Sequence, residues 1–232
     1  MKGQFSLVGG IDGYPGGWIA FTVDLGSRAT AIQEVDLPSL LQNRPTNLGV
    51  IAIDIPIGLL DGPRPCDLAA RRLLGPVRWC SVFPAVCRAS LRAGGYRHAS
   101  EINRQKTGRG LSRQAWCIGP KISTVDDVFT PAAQEWAFEV HPEVCFWAMN
   151  NRIPMAYGKK SKEGKSERRA LLSKVFPAIE DHILRRPVYV GIDDLLDASA
   201  AAWTALRIHT GTAECVCPPE RDERGLEVAI RY

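Results

Sequence analysis

The sequence predicts a mixed α/β fold, and three observations support this prediction. Residues 7–55 contain short apolar and β-branched segments that are separated by turn residues. Residues 61–129 change to the spacing of helices, and residues 192–210 form the clearest helix of the chain. Strands, a helical segment, one more strand and further helices are typical of one α/β domain with an insertion. We therefore predict a single domain over residues 1–232, with an insertion at roughly residues 60–133.

The composition is that of an ordinary globular protein. Of the 232 residues, 45% are hydrophobic and 23% are charged, which argues against a disordered or collagen-like chain. The apolar stretches are too short to cross a bilayer, and the first residues do not fit a signal peptide. Seven scattered cysteines do not suggest a disulfide framework. We expect a cytoplasmic protein with no membrane association.

The first part of the chain is predicted to be mostly strand. Bulky and β-branched residues fill three segments, and turn residues such as Gly16 and Gly17 separate them, which favours an antiparallel meander. These segments are residues 7–12, 18–24 and 29–35. A short helix is expected at residues 37–43. Residues 49–55 are continuously apolar apart from Asp54, as in a central strand buried on both faces.

The rest of the chain is predicted to be mainly helical. The helices of the insertion are expected at residues 67–74, 84–93, 96–107 and 112–129. Pro120 should break or kink the last of them. Residues 136–146 are predicted to be a strand in which Glu139, His141 and Glu143 share one face. The remaining elements are an amphipathic helix at residues 165–176, the helix at residues 192–210 and a final strand at residues 225–232.

Positive charge is concentrated in the insertion. The chain carries a net charge of +4, whereas residues 61–130 hold 12 basic and 5 acidic residues, a balance of +7. Arginine suits the forked recognition of phosphate and carboxylate groups. The same balance is also typical of a solvated helical surface, and the sequence leaves both interpretations open. A second basic cluster at residues 159–169 is interpreted as a mobile loop that enters a helix.

Acidic residues occupy strands where acids are unusual. Asp12 ends the first apolar strand, Asp54 lies between two isoleucines of the central strand, and Glu139 lies in the predicted fifth strand. A turn could explain Asp12, and a neighbouring arginine could explain Glu139. Neither a cap nor a turn explains Asp54, because apolar residues surround it on both sides. These strand acids are therefore candidate ligands for a divalent metal ion.

The helix at residues 192–210 opens with further acids. Asp193, Asp194 and Asp197 fall within an arc of about 100° on its surface. Because the rest of this helix is small or apolar on nearly every side, we expect it to be buried with its carboxylates facing the sheet. Asp193 is interpreted as a helix cap. Which of the three acids faces a metal stays open.

Several motifs resemble the family known as domain of unknown function 429, over nearly the whole chain and in order. The more specific segments are Ile53-Asp54-Ile55-Pro56-Ile57-Gly58, Glu139-Val140-His141-Pro142-Glu143 and Asp193-Asp194-Leu195-Leu196-Asp197. The resemblance implies a ribonuclease H-like α/β fold: a mixed five-stranded sheet flanked by helices, with a helical insertion after the fourth strand. It also implies a predicted nuclease activity. The acids of that fold correspond here to Asp12, Asp54, and Asp194 with Asp197, whereas Glu139 has no fixed counterpart. Because the first and fourth strands are neighbours in that fold, we expect the strands that end at Asp12 and Asp54 to lie side by side.

The leading prediction is a metal-dependent nuclease that hydrolyses phosphodiesters of DNA or RNA with Mg²⁺ or Mn²⁺. Two ions about 3.5–4 Å apart would clamp the attacking and leaving oxygens. The candidate catalytic residues are Asp12, Asp54, Glu139, Asp194 and Asp197, and all of them except Glu139 are also candidate metal ligands. The candidate substrate-binding residues are Arg64, Arg71, Arg72, Arg88 and Lys121.

Two other functions stay open at this point. One is a nucleotide-binding phosphotransferase of the actin and sugar kinase group, with the glycines after Asp12 around a phosphate. The chain is short for the two duplicated domains of that group. The other is a non-catalytic binding protein that retains the fold. The oligomeric state is also open, with a homodimer as one alternative.

Overall fold

The computed structural model describes residues 5–232, and within them it contains one five-stranded mixed sheet. The strands of this sheet are β1 (Leu7–Tyr14), β2 (Gly17–Asp24), β3 (Thr30–Val35), β4 (Leu48–Ile53) and β5 (Ala137–Glu139). Their order across the sheet is β3-β2-β1-β4-β5. The first three strands are antiparallel neighbours, while β4 runs parallel to both β1 and β5. The predicted mixed sheet is confirmed, and its order is consistent with a ribonuclease H-like fold.

Helices cover both faces of this sheet. They are α1 (Leu37–Gln42), α2 (Pro65–Arg78), α3 (Arg88–Leu91), α4 (Tyr96–Thr107), α5 (Arg113–Val128), α6 (Pro142–Met149), α7 (Lys162–Leu172), α8 (Ile179–Arg185) and α9 (Ile192–Thr210). A small hairpin, β6 (Glu220–Arg221) with β7 (Glu227–Val228), lies apart from the main sheet. No helix within residues 5–232 is both long enough and apolar enough to cross a membrane.

The alternation of side chains along β1 and β4 divides the core into two halves. Val8 and Ala52 belong to the cluster that includes α9, whereas Ile11 and Ile53 belong to the cluster that includes α1 and α5. All six residues of β4 are buried, which confirms the prediction of a central strand covered on both faces. A continuously apolar strand is stable in this position because neither face meets water.

Helix α9 lies directly on β1, and Gly10 makes this approach possible. A Cβ atom at Gly10 would lie 2.0 Å from the backbone nitrogen of Ala202 and 2.1 Å from the carbonyl oxygen of Ala198. Glycine and alanine therefore bring the backbones of strand and helix together. The same approach places the acidic first turns of α9 beside the end of β1.

The predicted strand at residues 136–146 is wrong beyond Glu139. Strand β5 ends there, and α6 begins at Pro142, which occupies the first helical position, where its missing N–H is not needed. Glu143 therefore lies in the first turn of a helix, and it shares no strand face with Glu139. Of the break or kink expected at Pro120, the break is wrong, because α5 continues through this exposed residue. On an exposed side, water can take the place of the lost hydrogen bond.

Other boundaries differ because packing between distant segments decides them. The helix expected at residues 84–93 is only the short α3, and the final strand expected at residues 225–232 is only β7. Helix α2 continues beyond residue 74 across a kink at Gly75, whose φ of 56° suits glycine. Helix α7 begins and ends earlier than its predicted range. Helix α8 has no counterpart in the prediction.

Candidate metal centre

Three carboxylates meet where β1 and β4 end. Asp12 lies near the end of β1, and Asp54 directly follows β4, with its N–H donating to the carbonyl of Ile11 at 2.9 Å. Asp197 comes from the second turn of α9. One carboxylate oxygen from each of the three lies within 4.8 Å of the others. The expected adjacency of the strands that carry Asp12 and Asp54 is confirmed, and α9 adds the third acid.

The strand register explains why these acids share one side of the sheet. Asp12 follows Val8 and Gly10 at intervals of two, and Asp54 follows Ala52 in the same way. These positions lie on the face that α9 covers. Because β1 and β4 are parallel and Ile11 is paired with Ile53, their next residues are side by side.

The cluster brings negative charges together where water is scarce. Asp12 and Asp197 are 6% and 2% exposed, and Asp54 is half-buried. Burial raises the pKa of Asp12 well above its usual range, and the charges of Asp54 and Asp197 raise it further. Burial, followed by repulsion from Asp197, raises the pKa of Asp54 to about 7. A nearby positive charge would relieve this repulsion.

Lys159 supplies one such charge. Its ammonium group donates to Asp197 Oδ2 at 2.5 Å, and the attraction of Asp197 raises the pKa of Lys159 above its usual value. The lysine side chain is 39% exposed, whereas that of Asp197 is 2% exposed, so the lysine reaches the cluster from the solvent side. The sequence places Lys159 in a basic cluster without indicating this contact, because the segment joining α6 to α7 is brought to the site only by the fold.

The segment before Lys159, residues 155–158, is held by several hydrogen bonds. Arg78 donates to the carbonyls of Met155 and Ala156 at 3.0 and 3.1 Å. Glu167 accepts from the N–H of Ala156 at 2.9 Å. These contacts anchor the segment to α2 and α7, so its backbone is fixed close to the carboxylates.

Arg168 connects this segment to a fourth carboxylate. It is 1% exposed, forms an ion pair with Glu143, and donates to the carbonyls of Tyr157 at 3.1 Å and Gly164 at 2.9 Å. The second oxygen of Glu143, Oε2, is buried and has no hydrogen-bond partner among the described residues. Sequence reasoning missed this arrangement. One feature of the sequence does indicate that Arg168 is buried. Gly164, Arg168 and Leu172 are spaced four residues apart, so they lie on one face of α7, and this face is buried.

Replacing Arg168 with methionine should destabilise the protein by about 3 kcal/mol, because Glu143 would lose its partner inside the fold. Arg169→Met is the matched control, since Arg169 is 42% exposed and pairs with Glu180 on the surface. That change should cost less than about 1 kcal/mol. Urea unfolding of both variants without metal measures the difference, and equal losses would contradict the role given to Arg168.

The acids at the start of α9 have different roles. Gly191 is the N-cap residue of α9, and its N–H donates to Asp194 Oδ2 at 3.1 Å, so the interpretation of Asp193 as the cap is wrong. Burial and the neighbouring Asp193 raise the pKa of Asp194. Asp194 lines the same cavity as the cluster, but the close group consists of Asp12, Asp54 and Asp197.

Glu139 belongs to a neighbouring buried cluster. Its Oε2 accepts from the N–H of Ile57 at 2.7 Å and pairs with Arg64, which also lies 3.4 Å from Asp67. Burial raises the pKa of Glu139 to about 7, against the opposing effect of Arg64. Cys66, Asp67 and Glu139 are close enough together to share an ion. The guanidinium of Arg64 already provides positive charge beside them.

The structure separates the candidate substrate-binding residues. Arg64 is 2% exposed and engaged with acids inside the protein. Arg88 pairs with Asp126, Asp222 and Glu223. Arg71 donates to the carbonyl of Val82 and lies over the ring of Trp79, and Arg72 is exposed. Of the five candidates, Lys121 is the one that lines the cavity with the carboxylates.

Lys121 is placed by the turn between β1 and β2. Its ammonium donates to the carbonyl of Gly17 at 2.6 Å and lies 4.5 Å from the ring centre of Trp18. Partial burial lowers the pKa of Lys121, while Asp12 and Asp194 act in the opposite direction. The lysine therefore provides positive charge at the edge of the acidic cluster.

These groups line a cavity of about 320 Å³. The carboxylates and Lys159 lie on the side formed by the sheet, α9 and the segment before α7. The insertion contributes further lining residues: Ser81, Val82, Phe83, Gln114, Ile118 and Lys121. The lining thus combines charged, polar and apolar side chains, and Glu139 and Glu143 are among its carboxylates.

Fold and site together define an α/β protein with a ribonuclease H-like arrangement of strands and a buried carboxylate cluster at the ends of its central strands. The chain belongs to the family described as protein of unknown function (DUF429), which matches residues 10–223. This match confirms the family resemblance seen in the motifs. No curated protein and no solved structure matches the chain.

Proposed function

We propose that the protein is a metal-dependent phosphodiesterase that uses Mg²⁺ or Mn²⁺ and acts on nucleic acid. The observation that supports this proposal is the close group of Asp12, Asp54 and Asp197, whose oxygens lie within 4.8 Å of one another. Buried carboxylates with mutually raised pKa values are costly unless a cation offsets their charge. The site therefore favours a cation.

The donor set fits a hard divalent ion. Carboxylate oxygens are the ligands that Mg²⁺ and Mn²⁺ prefer. Glu143 Oε2, which has no hydrogen-bond partner within residues 5–232, is a further oxygen of a residue that lines the cavity, and Asp194 at the start of α9 lines it too. A bound ion of this kind lowers the pKa of a coordinated water and stabilises charge on a phosphoryl oxygen.

The residues of the site would have separate roles in binding the ion and the substrate. Asp12, Asp54 and Asp197 would hold the ion, with Asp194 and Glu143 completing its surroundings. Lys121 would bind a non-bridging oxygen of the substrate phosphate at the edge of the cluster. Glu139 lines the same cavity and is held by Arg64 and by the N–H of Ile57, so it would border the substrate.

The test is to measure binding and hydrolysis on the same metal-free preparation. Calorimetric titration with Mn²⁺ should show saturable binding, and hydrolysis of bis(p-nitrophenyl) phosphate should appear with Mn²⁺ and disappear with a chelator. Asp12→Asn should remove both signals. Mn²⁺ binding without any diester hydrolysis, but with turnover of ATP, would instead favour the phosphotransferase alternative. Absence of Mn²⁺ binding would refute the metal site.

Lys159→Met should raise the affinity for Mn²⁺ by about tenfold or more, because the lysine neutralises the same carboxylates that would hold the ion. The metal-free variant should also be less stable by about 1.5–3 kcal/mol, since Asp197 loses a charge-assisted hydrogen bond. Lys160→Met, at the adjacent exposed position, is the control and should change neither quantity. Weaker Mn²⁺ binding by Lys159→Met would indicate that the lysine supports the bound ion rather than competing with it.

A further inference from the structure

We infer that the cavity accepts one nucleotide unit at a time, either at the free end of a single strand or in a small diester, and excludes a continuous duplex. This inference rests on the proposed function and specifies the substrate class of that same site. Three features of the described residues support it: the size of the cavity, the chemistry of its lining and the pairing of the charges around it.

The size of the cavity limits what can reach the carboxylates. Its volume of about 320 Å³ is at the lower end of the range for small-molecule pockets. A duplex is wider than its own major groove, which measures about 12 Å, and it therefore cannot enter such a space. The reacting phosphate must therefore belong to a strand end or to a small diester, because only these are narrow enough to enter the cavity.

The insertion is what encloses the carboxylates. Phe83 follows the turn after α2, and Ile118 and Lys121 lie on α5, so two separate parts of the insertion contribute to one lining. Without them, the ends of β1 and β4 would form an open edge of the sheet. The insertion thus changes an edge suited to a long polymer into a pocket suited to a single unit.

The lining matches the two parts of a nucleotide. Phe83 and Ile118 are half-buried and provide apolar surface, and the Trp18 ring lies beside Lys121. A base can stack on such surface without regard to its identity. Lys121 lines the same cavity as the carboxylates, and its ammonium would bind the phosphate of the same nucleotide. One cavity therefore offers carboxylates, a cation and apolar surface.

Five of the twelve cations in residues 61–130 form ion pairs within the part of the protein that the structure describes. Ion pairs join Arg64 to Asp67 and Glu139, Arg88 to Asp126 and Asp222, Arg92 to Asp127, and Lys106 to Asp61. Binding along a duplex requires several cations that are free to neutralise phosphates. Three of the paired acids, Glu139, Asp222 and Glu223, come from outside residues 61–130 and reduce the balance of +7 to +4.

The test compares a linear single strand, which has free ends, with a circle of the same nucleotide sequence, which has none. With Mn²⁺ present, a linear single-stranded 20-mer should be shortened from an end with release of mononucleotides. The same 20-mer closed into a circle should be cut at least about tenfold more slowly, and a supercoiled plasmid should stay intact. Equal cleavage of circle and linear strand, or nicking of the plasmid, would overturn the inference.

Bis(p-nitrophenyl) phosphate separates this inference from the proposed function. If this small diester is not hydrolysed and Mn²⁺ is not bound, the proposed function itself fails. If it is hydrolysed while both 20-mers are untouched, the inference that the cavity accepts one nucleotide unit is supported. The substrate is then a small diester rather than the end of a strand.

Binding of a mononucleotide provides a second measurement that does not depend on turnover. Thymidine 5′-monophosphate should bind in the presence of Mn²⁺, and Phe83→Ala should weaken that binding by about tenfold through loss of stacking surface. Leu184→Ala is the control, because Leu184 is 81% exposed on α8 and does not line the cavity. Unchanged binding by Phe83→Ala, with Mn²⁺ affinity intact, would count against the assigned position of the base.

Discussion

Asp54→Asn should weaken Mn²⁺ binding by more than about 100-fold and leave the metal-free protein as stable as the parent or more stable. The substitution keeps the shape of the side chain and removes one negative charge from the group formed with Asp12 and Asp197. Loss of a direct ligand should exceed the 10- to 100-fold effects typical of groups that only support ligands. Metal-free stability should not fall, because burial and Asp197 disfavour the charged form of Asp54.

The pH dependence gives the same prediction a second readout. The folded-state pKa of Asp54 is about 7 and the unfolded value is about 3.9, so the folded state binds the proton more tightly. Asp54 therefore contributes stability at low pH that is lost as the pH rises from about 4 to about 7. The metal-free Asn variant should lack this part of the pH dependence.

Thermal unfolding of the metal-free proteins at several pH values measures both effects. Asp127→Asn is the matched control, because Asp127 is exposed and pairs with Arg92 away from the cluster. If Asp54 were instead the structural partner of a buried cation, Asp54→Asn would cost about 3–5 kcal/mol. A drop of that size would remove Asp54 from the proposed metal site.

Gly10→Ala should destabilise the protein by more than about 4 kcal/mol and leave little folded material at 37 °C. The new methyl group would overlap backbone atoms of Ala198 and Ala202, 2.1 and 2.0 Å away, and no side-chain rotation can relieve this overlap. The helix would have to move away from the sheet. Because Asp197 lies next to Ala198, any protein that still folds should also bind Mn²⁺ less tightly.

Gly9→Ala is the matched control for this prediction. It introduces the same methyl group one residue earlier in β1, where the nearest atoms lie 3.5 and 3.6 Å away, an ordinary contact distance. Circular dichroism and urea unfolding of the two variants compare their stability. Equal stability of both variants would show that α9 does not approach β1 as closely as the structure describes.

The sequence was sufficient to predict the parts of the fold that follow from local patterns. Apolar continuity identified the central strand, and small residues with a glycine stop identified α9. The strand order implied by the resemblance predicted that the strands ending at Asp12 and Asp54 would be neighbours. Pro142 shows the limit of this reasoning, because a proline can end a strand or begin a helix, and only the packing of α6 decides between them.

The residues that the sequence did not reveal are those whose role depends on contacts between distant segments. Lys159, Arg168 and Glu143 come from two helices and the segment between them, and their pairing follows no local spacing. Arg64 and Arg88 were predicted to face phosphates, whereas acids elsewhere in the chain engage both of them. A count of charges along the sequence cannot show which of them neutralise each other within the fold.

The anchoring of the segment before Lys159 has a consequence for the speed of metal exchange. Backbone contacts from Arg78, Glu167 and Arg168 hold this segment, whereas the lysine side chain is partly exposed. An arriving ion therefore has to displace only an ammonium group at the end of a flexible chain, and no loop has to open. Rotation of exposed side chains takes picoseconds to nanoseconds, far less than the rearrangement of a loop. Dehydration of the ion, rather than motion of the protein, should then limit the rate of loading.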